Sequence, residues 1–142
     1  SIDEEIFKRD RYKEGQHWHT LEGAFWFQKG EWQYLMYSGG RYEDETYFVG
    51  YAAAKTTEQD LRKVKFQKMP DENIYAPLLR SNDWEEGTGH NSVIKVDGQY
   101  YCIYHARNTE ADGLNGDRRN ARIAKMHVAD GKITIERYPD HI

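Results

Sequence analysis

A single carboxylate stands where an aromatic stretch of the sequence begins. Glu22 lies in residues 19–25, which read His-Thr-Leu-Glu-Gly-Ala-Phe, and Trp18, Phe25 and Trp26 flank it. A carboxyl group packed among such rings is partly desolvated, which favours its protonated form. A carboxylic acid that keeps its proton near neutral pH can act as a general acid. Taken alone, however, a glutamate in such a position is more often a solvated loop residue.

The elements that would position Glu22 are β-strands. Short aromatic or alternating segments are separated by Gly-containing turns, and no segment keeps a helical period. In the first half the sequence predicts a hairpin of residues 23–28 and 31–38 around Lys29-Gly30, then strands at 47–54 and 61–67. In the second half it predicts a hairpin of residues 91–96 and 99–105 around Asp97-Gly98, then strands at 120–128 and 132–138 around Asp130-Gly131.

The two halves of the sequence repeat one pattern. Residues 34–38 (Tyr-Leu-Met-Tyr-Ser) match residues 101–105 (Tyr-Cys-Ile-Tyr-His), 67 positions further on. Each half has the content of a four-stranded antiparallel propeller blade. The predicted fold is therefore all-β, a partial β-propeller of about two blades. Two blades alone leave faces and edges open, so we expect either part of a larger propeller or self-association through those edges. An independent two-sheet sandwich is the alternative.

Composition narrows the classes of partner. The net charge of −4 gives no basic footprint for nucleic acid, and no apolar run approaches the ~20 residues that cross a bilayer. Cys102 is the single cysteine of the 142 residues, so no internal disulfide forms. Aromatic residues make up 14% of the chain although its mean hydropathy is −0.99. This composition predicts β-sheets with polar, solvent-exposed surfaces that carry aromatic side chains. Such side chains can bind sugars, and they serve equally well in ordinary packing between strands. These properties do not assign the protein to a cellular compartment.

Three groups of residues, in order, resemble glycoside hydrolases of family 43. The first joins Glu-Gly-Ala-Phe (22–25) to Trp-Gln-Tyr-Leu-Met-Tyr-Ser-Gly-Gly (32–40) and Tyr-Phe-Val-Gly-Tyr-Ala (47–52). The second joins Gly-Thr-Gly-His-Asn-Ser (87–92) to Asp-Gly-Gln-Tyr-Tyr (97–101) and Tyr-His-Ala (104–106), and the third is Arg-Asn-Ala-Arg-Ile (119–123). They are similar to the family's Glu-Gly-Pro, Gly-x-Gly-His and Arg-x-Ala-Arg-Ile segments, with Ala24 in place of Pro. Invertase-like propellers with a Glu-Cys-Pro motif fit less well.

The resemblance implies a five-bladed propeller that hydrolyses arabinose- or xylose-containing carbohydrate with inversion. Residues 1–17 would be a tail or an outer strand of a preceding blade, residues 18–80 a blade with Glu22, and residues 81–142 a blade with His90. Glu22 would be the general acid, and an Asp ~6.5–9.5 Å away would activate water.

In the family that catalytic Asp comes from a blade upstream of the acid motif. Before Glu22 this sequence has only Asp3 and Asp10, neither in a recognisable strand of a first blade. We therefore expect a C-terminal part of such an enzyme that lacks the base and is inactive alone. The alternative is a non-catalytic carbohydrate-binding propeller module.

The resemblance also assigns roles to four further residues. Trp18 and His19 would line the sugar site, and Arg119 would hold a substrate hydroxyl or the carboxylates. His90 would point into the central channel near a bound calcium or other ion, directly or through water. Because hard cations prefer oxygen ligands, we expect at most one protein ligand. A solvated Arg119 and a hydrogen-bonded channel histidine are the alternatives.

Overall fold

The computed structural model describes residues 21–43, 45–71, 76–109 and 119–139, and these form two four-stranded sheets without a helix. The first sheet contains β1 (Leu21–Lys29), β2 (Trp32–Gly39), β3 (Phe48–Lys55) and β4 (Gln67–Met69). The second contains β5 (Glu85–Val96), β6 (Gln99–Asn108), β7 (Asn120–Ala129) and β8 (Lys132–Glu136). Every pairing is antiparallel and joins strands that are consecutive in the chain. Each sheet is thus a meander of the blade type, which confirms the predicted fold class.

The hairpin turns follow from residues that tolerate a positive φ. Asp97 and Gly98 have φ values of 48° and 81°, and Asp130 and Gly131 have values of 49° and 83°. Two consecutive positive φ angles match the right-handed twist of a two-residue hairpin, as predicted at both sites. The first hairpin turns one residue later than predicted, at residues 30–31.

The two sheets pack against each other through one continuous core. Tyr34, Met36 and Tyr51 of the first sheet share this core with Cys102 and Met126 of the second. The hydroxyl oxygens of Tyr34 and Tyr51 also form hydrogen bonds across the interface between the two sheets, which we call the seam. They accept hydrogen bonds from the peptide N–H groups of Gly131 (2.9 Å) and Ile133 (3.0 Å). The sheets are therefore neighbours in one packed unit.

The fourth strand is not where the sequence predicted it. Residues 61–63 form a turn, and only Gln67–Met69 pairs with β3. Val64 and Phe66 are buried against Ala52 and Ala54 in a separate small cluster. Their alternation, which suggested a strand at 61–67, instead reflects the packing of a loop over the outer face of the first sheet.

A buried ion cluster closes one end of the second sheet. Glu85, the first residue of β5, accepts hydrogen bonds from Tyr104 (2.7 Å), Arg122 (2.8 Å) and Arg137 (2.7 Å). Burial raises the pKa of Glu85, but these donors outweigh it, so the pKa lies below its usual range. The cluster ties β5, β6, β7 and the segment after β8 into one unit.

Candidate active site

Glu22 lies at the start of β1, on a bulge. It is opposite Ser38, and the register shifts before the next pair, Phe25 with Met36. Gly23 within the bulge has φ +63°, and a Cβ there would lie 3.2 Å from the His90 ring. A bulge bends a strand and re-aims its side chains. Glycine at position 23 therefore lets Glu22 turn toward the end of the sheet while the second sheet approaches closely.

The hydroxyl of Tyr47 donates a hydrogen bond to Glu22 Oε1 at 2.5 Å. Tyr47 precedes β3 and is only 1% exposed. Its ring is stacked on His105, with centroids 5.6 Å apart and planes 7° apart. The ring also covers Gly89, where a Cβ would lie 2.0 Å from it. Burial and the Glu22 carboxylate raise the pKa of Tyr47, so its hydroxyl keeps the proton that it donates.

His90 joins the two sheets at this end. It has φ +53°, an uncommon conformation for a residue with a side chain. Its peptide N–H donates to Ser38 Oγ at 2.7 Å, across the seam. Its imidazole is exposed, and its centroid lies 6.2 Å from that of His105. The segment that contains His90 is thus fixed to the strand that pairs with Glu22.

His105 and Arg119 form the wall on the side of the second sheet. Nδ1 of His105 lies 3.2 Å from the Gly87 carbonyl oxygen, which can only accept, so Nδ1 carries the proton. Nε2 is then the acceptor for Arg119 Nη1, 3.0 Å away. Burial and the charge of Arg119 lower the pKa of His105, which favours this neutral form. The Arg119 guanidinium carbon also lies 4.4 Å from the ring centroid of Tyr42.

The loop that carries Tyr42 is part of this wall. Arg107 is buried, and its Nη1 and Nη2 donate to the carbonyl oxygens of Tyr42 (2.7 Å) and Glu43 (3.1 Å). Its Nε bonds Glu86 at 2.8 Å. Arg107 thereby fixes the loop and places the Tyr42 ring beside Arg119.

An open cavity of about 340 Å³ lies on the second sheet beside these groups. Its lining includes His90, Ser92, Ile103, His105, Arg119 and Asn120. Ligand pockets commonly occupy 300–1,000 Å³ and combine apolar surface with a few polar groups. The cavity therefore offers both an apolar floor and several hydrogen-bonding groups to a small polar ligand.

The structure brings Glu22, His90 and Arg119 to one end of the molecule. Trp18 and His19 lie outside the described residues. The sequence predicted that Glu22 packs among Trp18, Phe25 and Trp26. Of these, the structure describes Phe25 and Trp26; Glu22 itself is exposed, and the Trp26 indole donates to Gln33 Oε1 at 3.2 Å. No role was predicted for Tyr47, Ser38 or Tyr42, because their partners are distant in the chain.

The donor set at His90 does not form a metal cage. Within residues 21–43, 45–71, 76–109 and 119–139, no three His, Cys, Asp or Glu side chains converge. The exposed imidazole of His90 fits one coordination position of an ion that keeps most of its water, and no more than that.

Three comparisons identify related proteins. The sequence model of glycosyl hydrolases family 43 matches residues 2–133. The chain is 35% identical over 89 residues to a beta-D-galactofuranosidase of Aspergillus niger, an overlap that covers 61% of this chain and 23% of the relative. Among solved structures, an endo-1,4-beta-xylanase from Bacteroides thetaiotaomicron is 28% identical with a TM-score of 0.65, covering 84% of this chain and 38% of that one. An alpha-L-arabinanase from Cellvibrio cellulosa is 25% identical with a TM-score of 0.61, covering 82% and 36%.

The two sheets are thus two blades of a partial β-propeller of the glycoside-hydrolase type, not a sandwich. The chain belongs to glycosyl hydrolases family 43, since the match extends over most of its length. This excludes an invertase-like family. The chain spans about a quarter of the curated relative and just over a third of the solved structures. In the part that the structure describes, no helix could span a membrane.

Proposed function

We propose that this chain supplies the general-acid side of the active site in an inverting hydrolase of arabinose- or xylose-containing carbohydrate. The observation that carries the proposal is the environment of Glu22. Its Oε1 accepts the hydrogen bond from buried Tyr47, while Oε2 accepts none within the described residues. A carboxyl group held by one oxygen and open at the other is suited to donating a proton.

In the proposed reaction Glu22 gives its proton to the glycosidic oxygen as the bond from that oxygen to the anomeric carbon breaks. A water molecule forms the new bond from the opposite face, and a second carboxylate takes the proton that the water loses. The sequence holds no aspartate recognisable as that base. We propose that the base comes from outside this chain and that the chain alone does not hydrolyse glycosides.

The proposed substrate class rests on the relatives and on Arg119. The relatives are named for xylan, arabinan and galactofuranoside hydrolysis. The Nε of Arg119 is buried and has no hydrogen-bond partner among the described residues. Because a buried unpaired donor is costly, a sugar hydroxyl or a carboxylate that accepts from it would be favoured. Trp18 and His19 stay predicted sugar contacts.

A metal is part of the proposal at one position. His90 would give one ligand to a calcium or similar ion in the central channel, and water would supply the rest. Such an ion would add positive charge beside the reacting sugar. The chain's own residues at this point are His90 and the neutral His105 behind it.

The test of Glu22 uses the longest natural reading frame that contains this chain and compares Glu22→Gln with the wild type. With a poor leaving group, loss of a general acid lowers kcat by about 10²- to 10⁴-fold. With an activated aryl leaving group, which needs no proton, we expect little loss. The product anomer, observed by NMR immediately after hydrolysis, is expected to be inverted.

Glu31→Gln is the matched control, because Glu31 is an exposed glutamate in the turn that follows β1, at the end of the strand opposite to Glu22. We expect it to leave both substrates unaffected. Equal activity of Glu22→Gln and wild type on the poor leaving group would contradict the proposal. Binding of arabino- or xylo-oligosaccharide without hydrolysis in the longest frame would favour the carbohydrate-binding alternative.

We also propose that the chain alone self-associates. Ile94, Val96 and Ile123 are 41%, 50% and 50% exposed on the second sheet, and Trp26 is 39% exposed on the first. Large apolar side chains at open sheet faces favour association. Sedimentation velocity is expected to show a concentration-dependent species larger than 16.8 kDa. A monomer at all concentrations would exclude this.

A further inference from the structure

Three hydrogen bonds form a chain that starts at a backbone group and ends on Glu22. The peptide N–H of His90 donates to Ser38 Oγ at 2.7 Å. The Ser38 hydroxyl also acts on the Tyr47 hydroxyl and, as a hydrogen-bond donor does, works to lower the pKa of Tyr47. Tyr47 in turn donates to Glu22 Oε1 at 2.5 Å. Because the Glu22 carboxylate can only accept, the single proton of the Tyr47 hydroxyl points to it, and Ser38 is left as the donor to the Tyr47 oxygen.

The two hydroxyl groups in this chain are shielded from water. Ser38 is fully buried and Tyr47 is 1% exposed. The Tyr47 ring has little freedom to move, since it lies on the backbone of Gly89 and against the ring of His105. A buried and rigid donor keeps its direction when the charge on its acceptor changes.

We propose that Tyr47 is a positioning residue for Glu22, occupying Oε1 so that the transferable proton resides on Oε2. This inference rests on the proposed function of Glu22 as the acid. An oxygen that accepts a hydrogen bond from Tyr47 is disfavoured as the site of the acidic proton. Glu22 therefore presents one defined oxygen to the leaving group, and Tyr47 stabilises the carboxylate left after the transfer.

The bond between the Tyr47 hydroxyl and Glu22 is short. A separation of 2.5 Å lies at the short end of the range for O–H···O⁻ bonds, about 2.5–2.7 Å. The other titratable or charged groups around this pair are His90, His105 and Arg119, and the charge of Arg119 acts on Tyr47. None of these three is hydrogen-bonded to Glu22 among the described residues.

The first experiment measures hydrolysis by the longest natural reading frame that contains this chain. For Tyr47→Phe we expect kcat to fall about tenfold on a substrate with a poor leaving group, because a misdirected acid transfers its proton less well. On an activated aryl glycoside we expect a change within about twofold, with KM little altered.

The second experiment needs no activity and uses the chain by itself. Carboxyl carbons of glutamate are labelled with ¹³C, and the Glu22 signal is identified by its disappearance in Glu22→Gln. In Tyr47→Phe we expect that signal to change its chemical shift at neutral pH, because the carboxylate has lost the hydrogen bond on Oε1. Ser38→Ala, which removes the preceding donor, should move it in the same direction by less. Ser38→Ala also serves if Tyr47→Phe does not fold.

Tyr104→Phe is the matched control, because Tyr104 also donates to a glutamate, Glu85, at 2.7 Å. It should lower thermal stability while the Glu22 signal and the dependence on leaving group stay unchanged. If Tyr47→Phe behaves like Tyr104→Phe in both experiments, Tyr47 only packs and the inference is wrong. If the Glu22 signal shifts in Tyr47→Phe while Glu22→Gln hydrolyses normally, the positioning stands and the proposed function fails.

Discussion

Each blade contains a tyrosine that donates a hydrogen bond to a glutamate, and the two glutamates have opposite surroundings. Glu22 in the first blade is exposed and accepts from Tyr47 alone among the described residues. Glu85 in the second blade is 2% exposed and accepts from Tyr104 and two arginines. Among the described residues the first arrangement leaves one carboxylate oxygen without a partner, whereas the second uses both oxygens within the protein.

The comparison separates a carboxylate suited to proton exchange from one suited to holding the fold. Two arginines stabilise the charged form of Glu85 and lower its pKa, so it stays ionised in the folded protein. Glu22 has no such counter-charge bonded to it in the described residues. The same Tyr–Glu pair can therefore serve structure or chemistry, depending on the groups around it.

The largest loss of stability is expected when the buried glutamate of the two, Glu85, loses its charge. Glu85→Gln leaves the buried Arg122 and the partly buried Arg137 without their counter-charge, and removal of one partner of a buried ion pair costs about 3–5 kcal/mol of the free energy of unfolding. The matched change Glu22→Gln loses one hydrogen bond at an exposed residue, about 1 kcal/mol. Urea denaturation of both variants checks this difference. Equal losses would contradict the distinction between the two glutamates.

A second change tests how closely the Tyr47 ring of the first blade packs on Gly89 of the second blade. In Gly89→Ala the new Cβ would lie 2.0 Å from that ring, and overpacking of this kind costs about 3 kcal/mol. Gly30→Ala is the control, since a Cβ there meets nothing within 4 Å and only the positive φ opposes it, at about 1 kcal/mol. A thermal midpoint for Gly89→Ala no lower than that of Gly30→Ala would exclude such close packing.

The smallest expected effect concerns pH, and it differs between the two regions. The folded pKa of His105 is lowered by burial and by Arg119, so the unfolded chain binds the proton more readily. Stability is therefore lost as the pH falls from about 6.5, the unfolded pKa, toward the lower folded pKa. The folded pKa of Glu85 is also lowered, so its contribution is present above about pH 4.3 and is lost as the pH falls through the folded value.

Urea midpoints between about pH 7.5 and pH 3 check these two windows. His105→Gln should flatten the dependence in the mildly acidic window and leave the strongly acidic one unchanged. If the urea midpoints of His105→Gln and the wild type change with pH in parallel throughout, folding does not lower the pKa of His105.

The parts of the fold that the sequence predicted are those decided by local chemistry. The turns Asp97-Gly98 and Asp130-Gly131 were predicted because few residue pairs accept two positive φ angles. The strand predicted at 61–67 was wrong because Val64 and Phe66 alternate for a tertiary reason, their packing on Ala52 and Ala54. A period of two shows which side chains share a face, but it does not show whether a strand pairs there.

In the candidate site, only residues that lie in short sequence motifs could be predicted. Glu22, His90 and Arg119 could be selected because each lies in a short segment that resembles a family motif. The contact of Tyr47 with Glu22 spans 25 positions, and the ring fits only because position 89 is a glycine. Nothing in the local sequence links these three positions. The exposure of Glu22 was missed for the same reason, since it depends on where a bulge directs the side chain.

The bonds across the seam also limit how this architecture can be divided. At one end His90 donates to Ser38, and at the other Gly131 and Ile133 donate to Tyr34 and Tyr51. Each bond has its donor in one blade and its acceptor in the other. A single blade moved into a foreign propeller would therefore bring unmatched peptide groups or unmatched hydroxyls to its new neighbour. Exchange of the two blades as a pair would keep these three hydrogen bonds.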